Sequence, residues 1–363
     1  MLIRKVSALL HATFHTLDRY KLTKKVCNNP FINLKLILFM YIRYIRTLAA
    51  IIPKNMHNKS ILILIFLIIG TNSFLFSQED IAAKLGYPAN SKLLIIHADD
   101  LGVSHSENTA SFEAIEYGSV NSASIMMPTP WALEAVNYAN EHPDTHDFGL
   151  HLTLSSEWKY YKWGAVSSKD KVPSLVNKLG YFHEDCKTDL NLTEVETELK
   201  AQIDLAYAMG LKPTHLDTHM GCVVKTPELI EIYLKMGQLY NLPLMMTKAL
   251  PQILRDKYDV KVVMDFYGMS PEEYAQGVEV HYTNIIKNLK PGLSFLSIHT
   301  AYDNEEMKGM NIDHPEWGNE WRQKDFDFFK GKTCKQLLEE ENIKLVTFRQ
   351  LKEVFYKKNT TEK

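Results

Sequence analysis

Very little in this sequence points to the commoner ways of building or anchoring a protein. There are four cysteines in 363 residues, and no repeated spacing relates them. They therefore define neither a disulfide framework nor a zinc–thiolate site. Buried or free thiols are expected, with one pair able to bridge after export. Charge of one sign is also missing overall, with 41 basic against 43 acidic residues. No glycine-rich nucleotide loop, internal repeat or low-complexity stretch interrupts residues 78–363. The clean apolar run at 61–69 is short for a membrane span. Apolar content of 45% and charged content of 23% exclude a disordered or fibrous chain. A chain of this length buries a sizeable core without cross-links.

The near-zero net charge hides an asymmetry. Residues 1–55 carry ten Lys/Arg and one acid, Asp18, so the remainder of the chain bears −11. An acidic body argues against nucleic acid as a partner, because phosphate binding needs clustered basic charge. From Met56 the chain reads as a secretory signal: Lys59, the apolar run 61–69, then small polar residues before Gln78. Cleavage is expected near Ser77–Gln78, with an uncleaved membrane anchor as the alternative. No cysteine follows the run to suggest a lipoprotein. The basic extension 1–55 holds an interrupted apolar stretch at 31–52, broken by Lys35, Arg43 and Arg46. It reads as an over-extended start ahead of Met56, or else as a membrane-associated segment. The organisation is thus extension (1–55), signal or anchor (56–77), and one domain (78–363).

Within that domain, short β-branched apolar runs alternate with helical patterns. Strands are expected at 93–97, 120–126, 148–154, 214–219, 244–246, 261–265, 295–299 and 344–348. One helix is expected at 106–117, closed by Gly118. Another is expected at 193–209, with Thr193 and Glu196 as a capping box and Gly210 ending it. Such alternation predicts a mainly parallel sheet covered by helices. Because ADDLG rather than a glycine-rich loop follows the first strand, a (β/α) barrel of seven or eight strands is favoured over an open sheet. Chemistry in a barrel sits at the C-terminal strand ends, under loops expected at 155–189 and 302–325.

Unusual polar residues close four of these strands: His97-Ala98-Asp99-Asp100, His151, His215-Leu216-Asp217-Thr218-His219, and His299. A barrel would gather them. Paired carboxylates repel unless a divalent cation relieves them, and imidazoles plus one carboxylate with an open position suit a catalytic metal. Strand period two puts His215, Asp217 and His219 on one face. A metal-bound water would make hydrolysis accessible at neutral pH, and a carboxylate outside the ligand set could act as base.

The stretches KLLIIHADDLGVSHSENTASFEAIEYGSVNSASIMMPTPW, FGLHLTL and KPTHLDTH, in that order, resemble the YdjC-like carbohydrate deacetylases. That family includes the diacetylchitobiose, chitooligosaccharide and hopanoid-biosynthesis-associated members. The resemblance covers residues 92–351. It implies a polysaccharide-deacetylase-like barrel that removes acetyl groups from N-acetylated sugars with one divalent metal, Mg²⁺ or Zn²⁺. Position by position, it implies Asp100, His151 and His219 as ligands and Asp99 as general base. His299 is implied as proton donor or orienting group. His215 and Asp217 are implied as supporting residues, with His215 an alternative ligand. The chain departs from the family at His97, where Asn is frequent, at Met220-Gly221-Cys222-Val223 after the second histidine, and at Thr300 in place of proline. These departures bear on substrate identity. Cys222 would pack beside the metal or, alternatively, ligate it.

Aromatic residues in the expected loops suit a sugar: Trp158, Tyr160, Tyr161 and Trp163 after His151, and Trp317 and Trp321 after His299. Arg322 and Asp325 are expected as a loop-fixing pair or as substrate contacts. The expectation is an exported hydrolase acting on an acetylated amino-sugar oligosaccharide or glycan, with a homodimer as the default assembly. An O-acetyl esterase and a non-catalytic glycan-binding protein are the rival readings.

Overall fold

The computed structural model describes residues 81–356, within the unit Gln78–Lys363. The basic extension (1–55) and the segment 56–77, expected as a signal or anchor, lie outside the described residues. Seven parallel strands are present: β1 (Lys92–Leu101), β2 (Ser122–Ile125), β3 (Phe148–Leu152), β4 (Leu216–Thr218), β5 (Asp265–Tyr267), β6 (Gly292–Ile298) and β7 (Lys344–Leu345). Their order along the sheet is β4-β3-β2-β1-β6-β5, with β7 joined to the start of β1. The edges β4 and β5 are linked by residues 243–248. Leu244 bridges Leu216, and Thr247 bridges Met264. The result is an irregular barrel, continuous over six strands and completed by single bridges.

The segments 244–246 and 261–265, expected as strands, thus contribute one bridge each before β5 begins. Pro243 has no N–H to extend a ladder; its carbonyl accepts from Leu216. β7 and β2 share one edge of β1, and Asn121 fills the gap between them. Its Oδ1 accepts from the Ile96 N–H at 2.8 Å, and its Nδ2 donates to the Val346 carbonyl at 2.7 Å.

β1 sets the character of the interior. Strand alternation separates Leu93, Ile95, His97 and Asp99 from Leu94, Ile96 and Ala98. Leu93 and Ile95 pack with Leu293 and Phe295 of β6, Met264 just before β5, Val346 just after β7, and Phe348 at the start of the last helix. Leu94, Ile96 and Ala98 join the larger core formed with the helices. The barrel axis is therefore apolar at the N-terminal end of β1 and becomes polar at His97 and ionic at Asp99. Buried on both sides, β1 reads as a near-continuous apolar run until its last turn.

Four of the surrounding helices matter to the site: α1 (His105–Tyr117), α2 (Ala132–Glu141), α3 (Leu192–Ala208) and α4 (Asn319–Lys330). α1 is capped by Ser104, which accepts from Glu107 N, and closed by Gly118 as expected. α3 begins one residue before the expected start. Asn191, not Thr193, is its cap, accepting from the N–H groups of Thr193 and Glu194. The expected partner Glu196 instead meets Lys235 on the surface.

α3 also orders the long loop after β3. Glu198 accepts from the N–H groups of Val166 and Ser167, and Gln202 bonds both N–H and C=O of Thr153. Glu194 accepts from Ser174 N. These three residues lie four apart, on one face of the helix.

Glycine is required where the ring of His215 is seated. A Cβ on Gly149 would lie 2.5 Å from that ring, which is stacked on Phe348 at 3.9 Å on its other side. Gly149→Ala should therefore overpack the interior and destabilise the fold by about 1–3 kcal/mol. Chemical denaturation checks this as a lower midpoint at unchanged slope.

Candidate active site

The β1–β2 register shifts between Ala98 and Leu101, and within this irregularity Asp100 has φ 67°. A regular strand would send Asp99 and Asp100 to opposite faces; a bulge re-aims one of them. Both carboxylates consequently enter the polar end of the barrel. Gly102, also at positive φ, follows, and a Cβ there would meet Thr129 and Ala132 at the start of α2.

Asp100 is the point of convergence. Its Oδ1 lies 3.0 Å from His219 Nδ1 and 3.3 Å from His151 Nε2, while its Oδ2 accepts from Arg322 Nη2 at 2.8 Å. Burial opposes its ionisation, but His219 and Arg322 hold the carboxyl well below its usual range. The far nitrogen of each imidazole is held by another carboxylate. His151 Nδ1 is 2.8 Å from Asp217 Oδ1, and His219 Nε2 is 3.1 Å from Glu157 Oε2. Each ring thus lies between two carboxylates; with a cation held at Asp100, the ring proton would sit on the far side, where the carboxylate only accepts. His151 Nε2 and His219 Nδ1 are the ring nitrogens turned toward Asp100 Oδ1.

Three lone-pair donors converging with their outer partners fixed is the arrangement a divalent cation requires. The donor atoms of Asp100, His151 and His219 lie within 4.8 Å of one another and are buried. The residues present fit such an ion. Despite burial, Glu157 and Asp100 raise His219 to about 9. A cation at Asp100 would compete with that proton, as metal binding generally does.

Below these donors, Asp217 organises a second layer. Its Oδ2 accepts from His97 Nε2 at 2.9 Å and from Ser124 Oγ at 2.8 Å. Burial opposes its charge, yet His151 and His97 hold it far below the ordinary carboxylate range. His97 in turn meets Ser122 Oγ through Nδ1 at 2.9 Å. His215 is apart from the Asp100 group. Its Nδ1 contacts Thr214 Oγ1, its Nε2 has no partner, and burial lowers it to about 3. It is packed into the floor of the site rather than set beside Asp100.

Asp99 differs from its neighbour. Its Oδ2 accepts from Ser297 Oγ at 2.6 Å, whereas its buried Oδ1 has no hydrogen bond. Burial pushes the carboxyl up to about 6. His299 Nε2 lies 3.8 Å from Asp99 Oδ2 and 3.9 Å from Asp100 Oδ2. The His299 N–H donates to Asp325 Oδ2, and Asp325 Oδ1 accepts from Tyr282. Asp325 therefore seats His299, and burial raises its carboxyl to about 7.

Arg322 is buried and faces inward. Besides Asp100 it binds Glu107 Oε2 at 2.8 Å and the Trp317 carbonyl at 2.6 Å, and it lies 5.5 Å from the centroid of the Trp158 ring. With its donors committed in this way, it positions Asp100. It forms no direct pair with Asp325.

The aromatic residues divide by exposure. Trp158 and Trp163 are only 2% and 3% exposed, forming walls behind Arg322 and His219. Tyr160 is 69% exposed, and Trp317 stacks on Trp321 at 5.0 Å. Tyr160 and Trp317 are thus better placed than Trp158 and Trp163 to present a ring face to a ligand.

The cysteines correct an expectation. Cys186 and Cys222 form a disulfide, and Cys334 is buried and free. Cys222 is packed in the core as expected, and as half of a bridge it is not a ligand. The bridge ties the loop after β3 to the turn His219–Val224, where Met220 and Gly221 take positive φ.

Glu157, Glu107, Ser124 and Ser297 were not singled out from the sequence. Ser122 and Ser124 alternate along β2 on the face that meets His97, a period-two signal that was available. The two glutamates carry no local signal.

Asp217→Asn should retain the fold but release the His151 tautomer. Affinity for a divalent cation should fall 10- to 100-fold, which isothermal titration calorimetry would register. An unchanged affinity would remove Asp217 from that role.

A model of the YdjC-like protein family matches residues 93–340. A carbohydrate deacetylase of Thermus thermophilus is 31% identical over 255 residues, spanning 66% of this chain and 86% of that protein. Another, of Thermoanaerobacter pseudethanolicus, is 28% identical over 265 residues, or 72% of this chain and all of that one (100%). A chitooligosaccharide deacetylase of Serratia marcescens is 31% identical over 159 residues, 42% of this chain and 58% of that protein. Among solved structures, one from Enterococcus faecalis, proposed to be a cellobiose-phosphate cleavage protein, superposes with a TM-score of 0.63 at 24% identity. It covers 72% of this chain and 99% of its own, and at that identity the likeness concerns the fold.

Proposed function

The chain belongs to the YdjC-like protein family and is a carbohydrate deacetylase; from that premise we propose that it hydrolyses the N-acetyl group of an amino sugar. The substrate is an oligosaccharide or glycan, the products are acetate and the free amine, and Asp100, His151 and His219 hold one divalent cation. The observation that carries this reading is the meeting of two imidazole nitrogens at Asp100 Oδ1, each ring fixed from behind by a carboxylate. When bound, the cation supplies Lewis-acid polarisation of the acetyl carbonyl and a lowered pKa for water. Two imidazoles and one carboxylate lean toward zinc or another transition metal over magnesium.

The remaining roles fall to the chain's own groups. Asp99 Oδ1, buried without a hydrogen bond, accepts the proton of the attacking water while Ser297 holds Oδ2. A carboxyl near 6 is ionised at neutral pH and still basic enough for that task. His299 is lowered to about 3 by burial and starts neutral. It orients the amide nitrogen, and the proton taken up by Asp99 passes to that nitrogen, so that the amine leaves protonated as acetate forms. Arg322 keeps Asp100 ionised and turned toward the rings.

The disulfide supports export to an oxidising compartment, in keeping with the signal-like segment at 56–77.

Acetate release from N-acetylated chitooligosaccharides, measured after chelation and after return of Zn²⁺, Mg²⁺, Mn²⁺ or Co²⁺, tests the assignment. Activity should vanish on chelation and return with the native ion. Asp99→Asn should lower turnover by about 10²–10⁴-fold with cation binding largely retained, whereas His151→Ala should lose both. Full activity of Asp99→Asn would remove it as the base. Turnover confined to O-acetylated sugars would replace the amidase reading with an esterase.

A further inference from the structure

A second set of metal-type donors lies away from the active site, at the end of the barrel where the chain enters β3. Glu116 is the penultimate residue of α1, and His142 and His146 follow the end of α2. Glu116 Oε1 is 2.9 Å from His146 Nε2 and 3.7 Å from His142 Nε2. The donor atoms of all three residues lie within 4.8 Å of one another. The side chains are 36%, 31% and 11% exposed for Glu116, His142 and His146, so the group is reachable from solvent.

Each imidazole is held from behind. His142 Nδ1 is 2.8 Å from the carbonyl oxygen of Tyr138. A carbonyl only accepts, so Nδ1 carries the proton and, in the neutral ring, Nε2 presents its lone pair toward Glu116. His146 Nδ1 is 2.9 Å from Thr145 Oγ1, and the His146 carbonyl accepts from Arg349. The two imidazoles stack at 4.6 Å with 29° between their planes. Glu116 Oε1 also accepts from the Tyr138 hydroxyl at 2.8 Å, and the Tyr138 ring stacks on Phe112 at 3.7 Å. A surface ion pair would need only one histidine and no such outer support. Here two imidazoles from the segment after α2 and a carboxylate from α1 face one point, with the Nδ1 atom of each ring already engaged.

We propose that Glu116, His142 and His146 form a second site, for a zinc-class divalent cation, with water completing its shell. Two imidazoles with one carboxylate favour a borderline transition ion over magnesium or calcium. The role is structural. The ion would join the ends of α1 and α2 and fix the chain as it enters β3. The next residue, Asp147, accepts the N–H groups of Phe348 and Arg349, and β3 itself carries His151. This inference does not depend on the deacetylase mechanism.

Equilibrium dialysis of the whole protein against Zn²⁺, with bound metal counted per chain, tests it. Wild type should bind one equivalent more than the His142→Ala/His146→Ala double variant. His151→Ala should keep the surface equivalent, so failure of the active-site reading would not be mistaken for failure here. Glu116→Gln should weaken the same equivalent at least tenfold without altering the fold, guarding against a misfolded double variant. Bound Co²⁺ should show visible absorption that the double variant loses in part. Equal stoichiometry in wild type and the double variant, or no effect of Glu116→Gln, would overturn the proposal.

Discussion

The site depends on how one buried carboxylate oxygen is surrounded. Asp100 Oδ1 meets two imidazoles while Oδ2 is committed to Arg322. Arg322 is shared with Glu107, whose carboxyl burial pushes up to about 8, so one guanidinium serves two buried acids. Asp217 and Glu157 add further charge behind the rings. Such a concentration of buried carboxylates is tolerable only with cations or protons among them. That electrostatic demand, more than any single contact, explains why His97, His151, His219 and Arg322 gather there.

The barrel meets this demand by dividing its interior along the axis. Leu93, Ile95, Phe295 and Phe348 fill the lower part, His97 and His215 form an intermediate layer, and the aspartates stand above. The intermediate layer matters because its rings pack as apolar bodies below while offering nitrogen atoms above. His97 uses both properties: its ring lies 4.9 Å from Phe295, and its Nε2 reaches Asp217. Loops complete the site. Glu198 and Gln202 hold the segment after β3, and the Cys186–Cys222 bridge joins that segment to the turn bearing His219.

Strand ends were readable because the barrel strands are short apolar runs stopped by charged residues, and that boundary survives in the linear order. The helix at 106–117 was readable for the same reason, with serine before it and glycine after. α3 starts one residue earlier than expected because the Asn191 side chain accepts from the N–H groups of Thr193 and Glu194 and so caps the helix. The segments 244–246 and 261–265 have strand-like composition, yet pair at single residues because the ring closes irregularly beside Pro243.

Asp99, Asp100, His151 and His219 stand in the sequence as polar residues ending apolar strands, and that local contrast suffices to nominate them. Nothing local nominates Glu157 as the partner of His219, Glu107 as the partner of Arg322, or Cys186 as the partner of Cys222. Those pairs are separated by 62, 215 and 36 residues, respectively. The sequence by itself determined the strand–helix alternation and which strand ends are charged, since both arise from local patterning. Only the tertiary structure decided the bulge that turns Asp99 and Asp100 inward together, which ring nitrogen each histidine presents, and which aromatic residues are buried. Those outcomes are set by contacts between distant segments, where burial and hydrogen bonding are settled jointly.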